Sequence, residues 1–227
     1  MTQYAMVVDL QKCTGCGACS FACKIENNVP NGMYHSHYIK GLTGKFPNVK
    51  YSFIPTLCNH CSNAACVAAC PVDPKVMHKD ENGMTLHDVA RCIGCRSCEK
   101  ACPYGVISFN GEEPHQFWRD ELGQAVTKKV GGKVIPNYNP DRELSVCNEG
   151  IRRKKVVEKC FFCDHRVTNE ENPYCVDACP AKARVFGDLD DPNSEASKLL
   201  RNNKSMRLKE EAGTEPNVYY IGEFNPK

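Results

Sequence analysis

The sequence predicts an α+β fold made by duplicating a small cysteine-rich unit, with inserted loops and a C-terminal extension. Three observations predict it. Sixteen of the 17 cysteines fall into four groups of four, every group ends Cys-x3-Cys, and an Asn82-Gly83 turn signal between alternating residues joins the two middle groups.

The groups come in order. The first is CTGCGACSFAC, with Cys13, Cys16, Cys19 and Cys23. The second, CNHCSNAACVAACP, holds Cys58, Cys61, Cys66 and Cys70, with two extra residues before its third cysteine. The third, CIGCRSCEKACP, holds Cys92, Cys95, Cys98 and Cys102. The fourth starts at CFFCDHR and holds Cys160, Cys163, Cys175 and Cys179, with eleven residues before its third cysteine. Three groups add a proline: Pro71, Pro103 and Pro180.

Cys-x2-Cys-x2-Cys-x3-Cys-Pro is the bacterial ferredoxin spacing. Three cysteines on a tight loop wrap three corners of one iron-sulfur cube, with Gly15, Gly17 and Gly94 letting backbone approach sulfur closely. The fourth is expected on the helix that follows, pointing toward a neighbouring cube, and proline then discourages that helix from continuing. One motif therefore cannot complete its own cluster, and motifs must pair.

Groups two and three are separated by 21 residues that include VMHKDENGMTLHDVAR, which reads as a β-hairpin inside one unit. Groups one and four are left to pair across the chain. Four 4Fe-4S clusters and no 3Fe-4S centre are expected. Cys13, Cys16, Cys19 and Cys179 would hold the first, and Cys23, Cys160, Cys163 and Cys175 the second. Cys58, Cys61, Cys66 and Cys102 would hold the third, and Cys70, Cys92, Cys95 and Cys98 the fourth. The first unit then spans residues 1–57 and 147–193 and the second 58–110, with an insertion at 111–146 and an extension at 194–227.

Zinc is the competing reading, because cysteine-only ligand sets also suit it. It accommodates the two groups with longer spacers but not the tight triplets at 13–19 and 92–98. Disulfide scaffolds reach such cysteine density mainly in short chains, and an odd count leaves one thiol over.

Other residues carry weaker signals. His60 and His165 lie inside complete quartets, so neighbouring or exposed roles suit them better than ligation. Cys147, outside every quartet, reads as a loop or core cysteine rather than a redox group. Lys12, Arg91 and Lys159 each precede the first cysteine of a quartet. Either they raise cluster potentials, or they are simply exposed at loop entrances. The run Arg152 to Lys155 reads as a solvated face.

Hydrophobic residues make up 41% and charged residues 25%, as in ordinary globular proteins. The net charge of +2, falling to about −6 with four oxidised cubes, makes no case for nucleic acid. No apolar run approaches the roughly 18 residues of a membrane span, and the start MTQYAMVVDLQKC has no export-signal pattern. No phosphate loop or nucleophile motif appears. Residues 24–57, and 104–159 with Trp118, are long enough to be docking surface. In the tail, SEASKLLRNN reads as a short helix and VYYIGEF as a strand, to clamp a partner or cover the core.

Throughout its length the chain resembles the four-cluster iron-sulfur subunit of dimethyl-sulfoxide-reductase-type molybdenum enzymes, in its quartet order and in IPTLCNHC, ACPYGVISFN and KCFFCDHR. That family includes partners of polysulfide, thiosulfate and tetrathionate reductases. FPNVKYSFIPTLCNHC, ARVFGDLDDPNS and LKEEAGTEPNVYYIGEF resemble the small subunit of respiratory arsenate reductase and of the related alternative arsenite oxidase. The resemblance implies an electron-transfer subunit of an oxidoreductase, active in anaerobic respiration, pairing its first quartet with the fourth and its second with the third. It also implies a catalytic partner carrying molybdopterin guanine dinucleotide and its own iron-sulfur cluster. A quinol-oxidising membrane protein or a cytochrome would exchange electrons at the other end. Export to the periplasm on the partner's signal is implied; a cytoplasmic place and a free polyferredoxin are the alternatives.

Overall fold

The computed structural model describes residues 2–30, 32–112, 143–145, 147–149 and 152–222. Trp118 and most of the 111–146 insertion lie outside them. Strand β1 (Tyr4–Asp9) comes from YAMVVD, whose four middle residues are all buried. A strand covered on both faces needs such a continuous apolar run. Helix α1 (Ala18–Glu26) follows the first cysteine loop, and β2 (Ser36–Lys45) and β3 (Asn48–Leu57) form a long antiparallel hairpin. Then come α2 (Ala65–Ala68), β4 (Met77–Lys79), β5 (Thr85–His87), α3 (Ser97–Ala101) and β6 (Ser108–Asn110). Next are β7 (Glu143–Ser145), β8 (Asn148–Glu149), β9 (Val156–Glu158), α4 (Asp164–Val167) and α5 (Tyr174–Asp177). The chain ends with β10 (Arg184–Asp188), α6 (Glu195–Asn202), β11 (Ser205–Met206) and β12 (Val218–Ile221).

The architecture is mixed α and β. Its largest sheet has the order β10-β1-β12-β11, with β1 antiparallel to β10 (Val8 opposite Arg184) and parallel to β12 (Met6 opposite Val218). The strand preceding quartet one thus lies beside the strand following quartet four. The Asn82-Gly83 signal corresponds to the β4-β5 turn, where the Asp80 carboxylate accepts from the Asn82 and Met84 amides at 3.1 and 2.6 Å. Strand β6 pairs with β9, Ser108 opposite Glu158.

The tail does more than clamp or cover. Its strand β12 is interior to the main sheet, and α6, capped by Ser194 accepting from the Ser197 amide at 3.1 Å, packs Ala196 against Val7 and Ile221. Thr214, between β11 and β12, receives or gives a 2.6 Å hydrogen bond with the Tyr104 hydroxyl. Among the described residues no helix is long and apolar enough to cross a membrane.

The expected helical placement of each fourth cysteine holds only for Cys23. Elsewhere it is the third cysteine, Cys66, Cys98 or Cys175, that lies in the helix, and Cys70, Cys102 and Cys179 follow its end. Those three residues each precede proline, which disfavours helical backbone at the residue before it. Quartet one lacks the proline, and α1 runs on to Glu26.

Candidate metal centres

All four cysteine loops use one backbone solution. The residue before the second cysteine is left-handed in each: Gly15 (φ 68°), His60 (44°), Gly94 (67°) and Phe162 (55°). Glycine suits that conformation. At Gly94 an added Cβ would also collide with the Lys155 carbonyl, and at Gly15 it would lie 2.9 Å from the Phe53 ring. His60 and Phe162 hold the same conformation against a strain of roughly 1–3 kcal/mol each. Their buried rings stack on one another, centroids 3.6 Å apart and 10° from parallel, which ties the second quartet's loop to the fourth's.

The sixteen quartet cysteines gather in four places. Cys13, Cys16, Cys19 and Cys179 line one cavity, with Tyr38, Phe53, Pro55 and Arg184. Cys58, Cys61, Cys66 and Cys102 line another, with Thr85, Tyr104 and Thr214. Cys70, Cys92, Cys95 and Cys98 line a third, walled by Val72, Val76, Met77 and Val157. Cys23, Cys160, Cys163 and Cys175 are all buried and meet in the core. There the Asn27 amide donates to the Cys23 and Cys163 sulfurs at 3.4 and 3.6 Å. In each place three cysteines come from one quartet and one from its partner.

The donor set fits iron-sulfur clusters. Among the described residues no three His, Cys, Asp or Glu side chains converge closely enough to hold one metal ion, as tetrahedral zinc requires. The sulfurs instead surround a space, the requirement of a polynuclear cluster. Burial and neighbouring sulfurs push the Cys66 and Cys160 thiols up to about 12 and Cys163 and Cys23 well above the usual thiol range. Such thiols ionise at neutral pH only against bound cations, which iron supplies.

Comparison with known proteins agrees with this chemistry. A family described as a 4Fe-4S dicluster domain matches residues 49–117, a second of the same description matches 91–183, and a 4Fe-4S binding domain matches 4–25. The arsenate respiratory reductase iron-sulfur subunit of Shewanella sp. (strain ANA-3) is 52% identical, over 98% of this chain and 97% of that one. A selenate reductase subunit of Mesobacillus selenatarsenatis is 39% identical over 96% of this chain and 72% of that one. A putative dimethyl sulfoxide reductase iron-sulfur subunit of Halobacterium salinarum is 37% identical over 100% of this chain and 82% of that one. The chain belongs to the iron-sulfur subunits of the dimethyl-sulfoxide-reductase family. It is an electron-transfer subunit that carries multiple 4Fe-4S clusters.

Within this iron-sulfur subunit the three basic residues ahead of the quartets behave differently. Lys12 is about half exposed and 3.6 Å from Asp9, and Arg91 is exposed and donates to the Pro74 carbonyl, so both stand at loop entrances. Lys159 is fully buried instead. Its Nζ donates to the carbonyls of Thr85 and, at 2.8 Å, Cys160, among the sulfurs of Cys58, Cys147, Cys66 and Cys160. Arg184, which no motif in the sequence singles out, is a further buried cation beside cysteine sulfur; its signal is a lone arginine shortly after the final Cys-Pro.

The solvated-face reading of Arg152 to Lys155 is corrected at its first residue. Arg152 is buried and donates through Nε and Nη2 to the buried Glu158 carboxylate, while the next three are exposed. Burial would raise the Glu158 carboxyl, but the Arg152 charge and His35 outweigh it and hold it at about 2. His60 is buried rather than exposed: its Nδ1 accepts from the Thr85 amide at 3.0 Å, and burial pushes its pKa well down. His165 meets Glu26 at 2.8 Å, joining α4 to α1. Cys147 is a fully buried core residue whose thiol burial raises to about 12.

Proposed function

We propose that this subunit holds four 4Fe-4S clusters in a row and relays electrons to the molybdopterin subunit of a respiratory arsenate reductase. The single observation that carries the reading is the spatial order of the cysteine groups. Cys175 of the second site neighbours Cys19 of the first, Cys160 of the second neighbours Cys58 of the third, and the third and fourth share the apolar cluster around Cys66, Cys70 and Cys98. When bound, such clusters each accept and pass on one electron at a time. The chain holds them close, insulates the middle ones from water and sets their potentials through charges and amide-to-sulfur hydrogen bonds. Those include the Phe162 amide on Cys160 at 3.4 Å and the Ala183 amide on Cys179 at 3.3 Å.

The ligand sets are the four groups of cysteines above, one cluster to each, on a fold of two ferredoxin-like units. Units of residues 1–57 with 147–193, and of 58–110, account for the nesting. Each end of the row has an exposed ligand, Cys16 in the first site and Cys95 in the fourth. The first-site end also carries the β2-β3 arm, with Leu42 and Phe46 72% and 92% exposed, three lysines and no acidic residue. We assign this end to the catalytic subunit, which would carry molybdopterin guanine dinucleotide and a further iron-sulfur cluster. The fourth-site end would face a quinol-linked or cytochrome donor. The complex would work in the periplasm, exported after its clusters are inserted and thereby shielded from disulfide formation. Arsenate as the final acceptor rests on the 52% identity to the arsenate reductase relative.

The test is Cys19→Ser in the purified complex. One cluster should be lost or converted and donor-linked arsenate reduction should collapse, while dye-linked activity of the catalytic subunit persists. Normal donor-linked turnover without that cluster would end the relay reading. Co-purification with a subunit that reduces selenate but not arsenate would end the substrate assignment alone.

A further inference from the structure

Arg184 stands at the junction of the first two cysteine sites. It lines the first cavity beside Cys13, Cys16, Cys19 and Cys179, yet it is only 3% exposed. One terminal nitrogen, Nη2, donates to the Ser36 hydroxyl at 3.0 Å. The other, Nη1, is buried and makes no hydrogen bond of ordinary geometry. The groups that bear most strongly on the guanidinium are the sulfurs of Cys175, in the second site, which also takes part in a hydrogen bond with it, and of Cys19, in the first.

A buried cation without a compensating anion is strongly unfavourable, and arginine cannot escape by losing its proton. Its counter-charge must come from what the two cysteine groups hold. Lys159 has the matching place between the second and third sites, although its donors are committed to carbonyl oxygens. Between the third and fourth sites the packing is Met77, Ile107, Val157 and Val67.

We infer that Arg184 is a positioning residue for electron transfer, a fixed cation wedged between the first and second clusters that raises both their potentials. The inference rests on the ligand sets proposed above. Each added electron makes a cluster more negative, so a permanent positive charge in a dry gap favours the reduced form of both neighbours. It matters most at the second site, whose four cysteines are all buried and where desolvation alone would make reduction hardest. Residues of one short stretch thereby perform two jobs: Cys179 as ligand and Arg184 as counter-charge, five positions apart.

The test is a potentiometric titration of the purified complex followed by electron paramagnetic resonance, with Arg184→Gln, Arg184→Met and Arg184→Lys. Signals of the first and second sites are identified by their loss in Cys16→Ser and Cys163→Ser. In a neutral variant that keeps its full iron complement, the midpoint potentials of those two clusters should fall while the other two stay in place. Arg184→Lys should keep them nearer the parent values. Unchanged potentials in a fully loaded neutral variant would overturn the inference. If neither neutral variant loads iron but Arg184→Lys does, the positive charge is required beside the two clusters, as inferred. Loss of iron in all three would assign Arg184 to shape and overturn it. Failure of the ligand assignment itself would show separately, as Cys16→Ser and Cys163→Ser removing no distinct signal.

Discussion

The second and fourth sites each gather four cysteine thiols, in opposite surroundings. Around the second, Cys23, Cys160, Cys163 and Cys175 are all buried, and the charges nearby are buried too: Lys159, Arg184 and the Arg152–Glu158 pair. Around the fourth, Cys95 is exposed, the cavity wall is aliphatic, and the ion pair at hand is the exposed Arg96–Glu99. The thiols follow suit. Burial drives Cys163 well up, whereas hydrogen bonds from Ser97 bring the Cys95 thiol below its ordinary value. A site that reaches water can leave its charge balance to solvent, while a dry one needs counter-charges built into the chain.

The largest effect should come from breaking that buried ionic shell. Arg152→Met leaves Glu158 buried without its cation and should cost about 3–5 kcal/mol in denaturant unfolding of the cluster-loaded subunit, against near zero for Arg96→Met at the exposed pair. The pH dependence has a definite sign. Glu158 is held below the ordinary carboxylate value of 4.5, at about 2, so its contribution is present above about pH 4.5 and disappears as pH falls toward 2. Arg152→Met should flatten that acid limb, and an unchanged limb would refute the assignment.

Backbone strain offers the next contrast. Gly94→Ala puts a methyl group against the Lys155 carbonyl at a positive φ, and loss of the fourth cluster is expected by iron analysis. Phe162→Gly frees the strained position but removes the stack on His60; it should retain iron at the second site and lower stability by about 3 kcal/mol or more. Retention of full iron in Gly94→Ala would show that the loop has another solution.

Exposure supplies a smaller, kinetic difference. During titration with ferricyanide, clusters at the first and fourth sites should lose iron before the second, because Cys16 and Cys95 are reached from solvent. Loss of the second first would mean that burial does not protect it. At the surface, Phe46→Asp on the β2-β3 arm should change stability by no more than about 0.5 kcal/mol yet weaken co-purification with the catalytic subunit. Undiminished co-purification would remove the arm from that interface.

Residue order was enough to define the cysteine quartets, to say which cysteines gather together and to mark the β4-β5 turn, because these depend on spacing along a short stretch of chain. Cys23 could be matched with Cys160 and Cys163 across more than a hundred residues only because a motif that cannot close its own site must borrow a ligand. The helix ends before Cys70, Cys102 and Cys179 were misplaced, because the proline after each disfavours helical backbone at the cysteine itself. Which of three similar basic residues is buried came from packing in three dimensions, since Lys12, Arg91 and Lys159 share one local pattern and only Lys159 is enclosed by other segments. Packing also brought Arg184 to face two cysteine groups, drew Arg152 out of an otherwise solvated run to meet Glu158, and set β12 beside β1. Ligand spacing is a local property, whereas burial and counter-charge belong to whatever the rest of the chain packs around it.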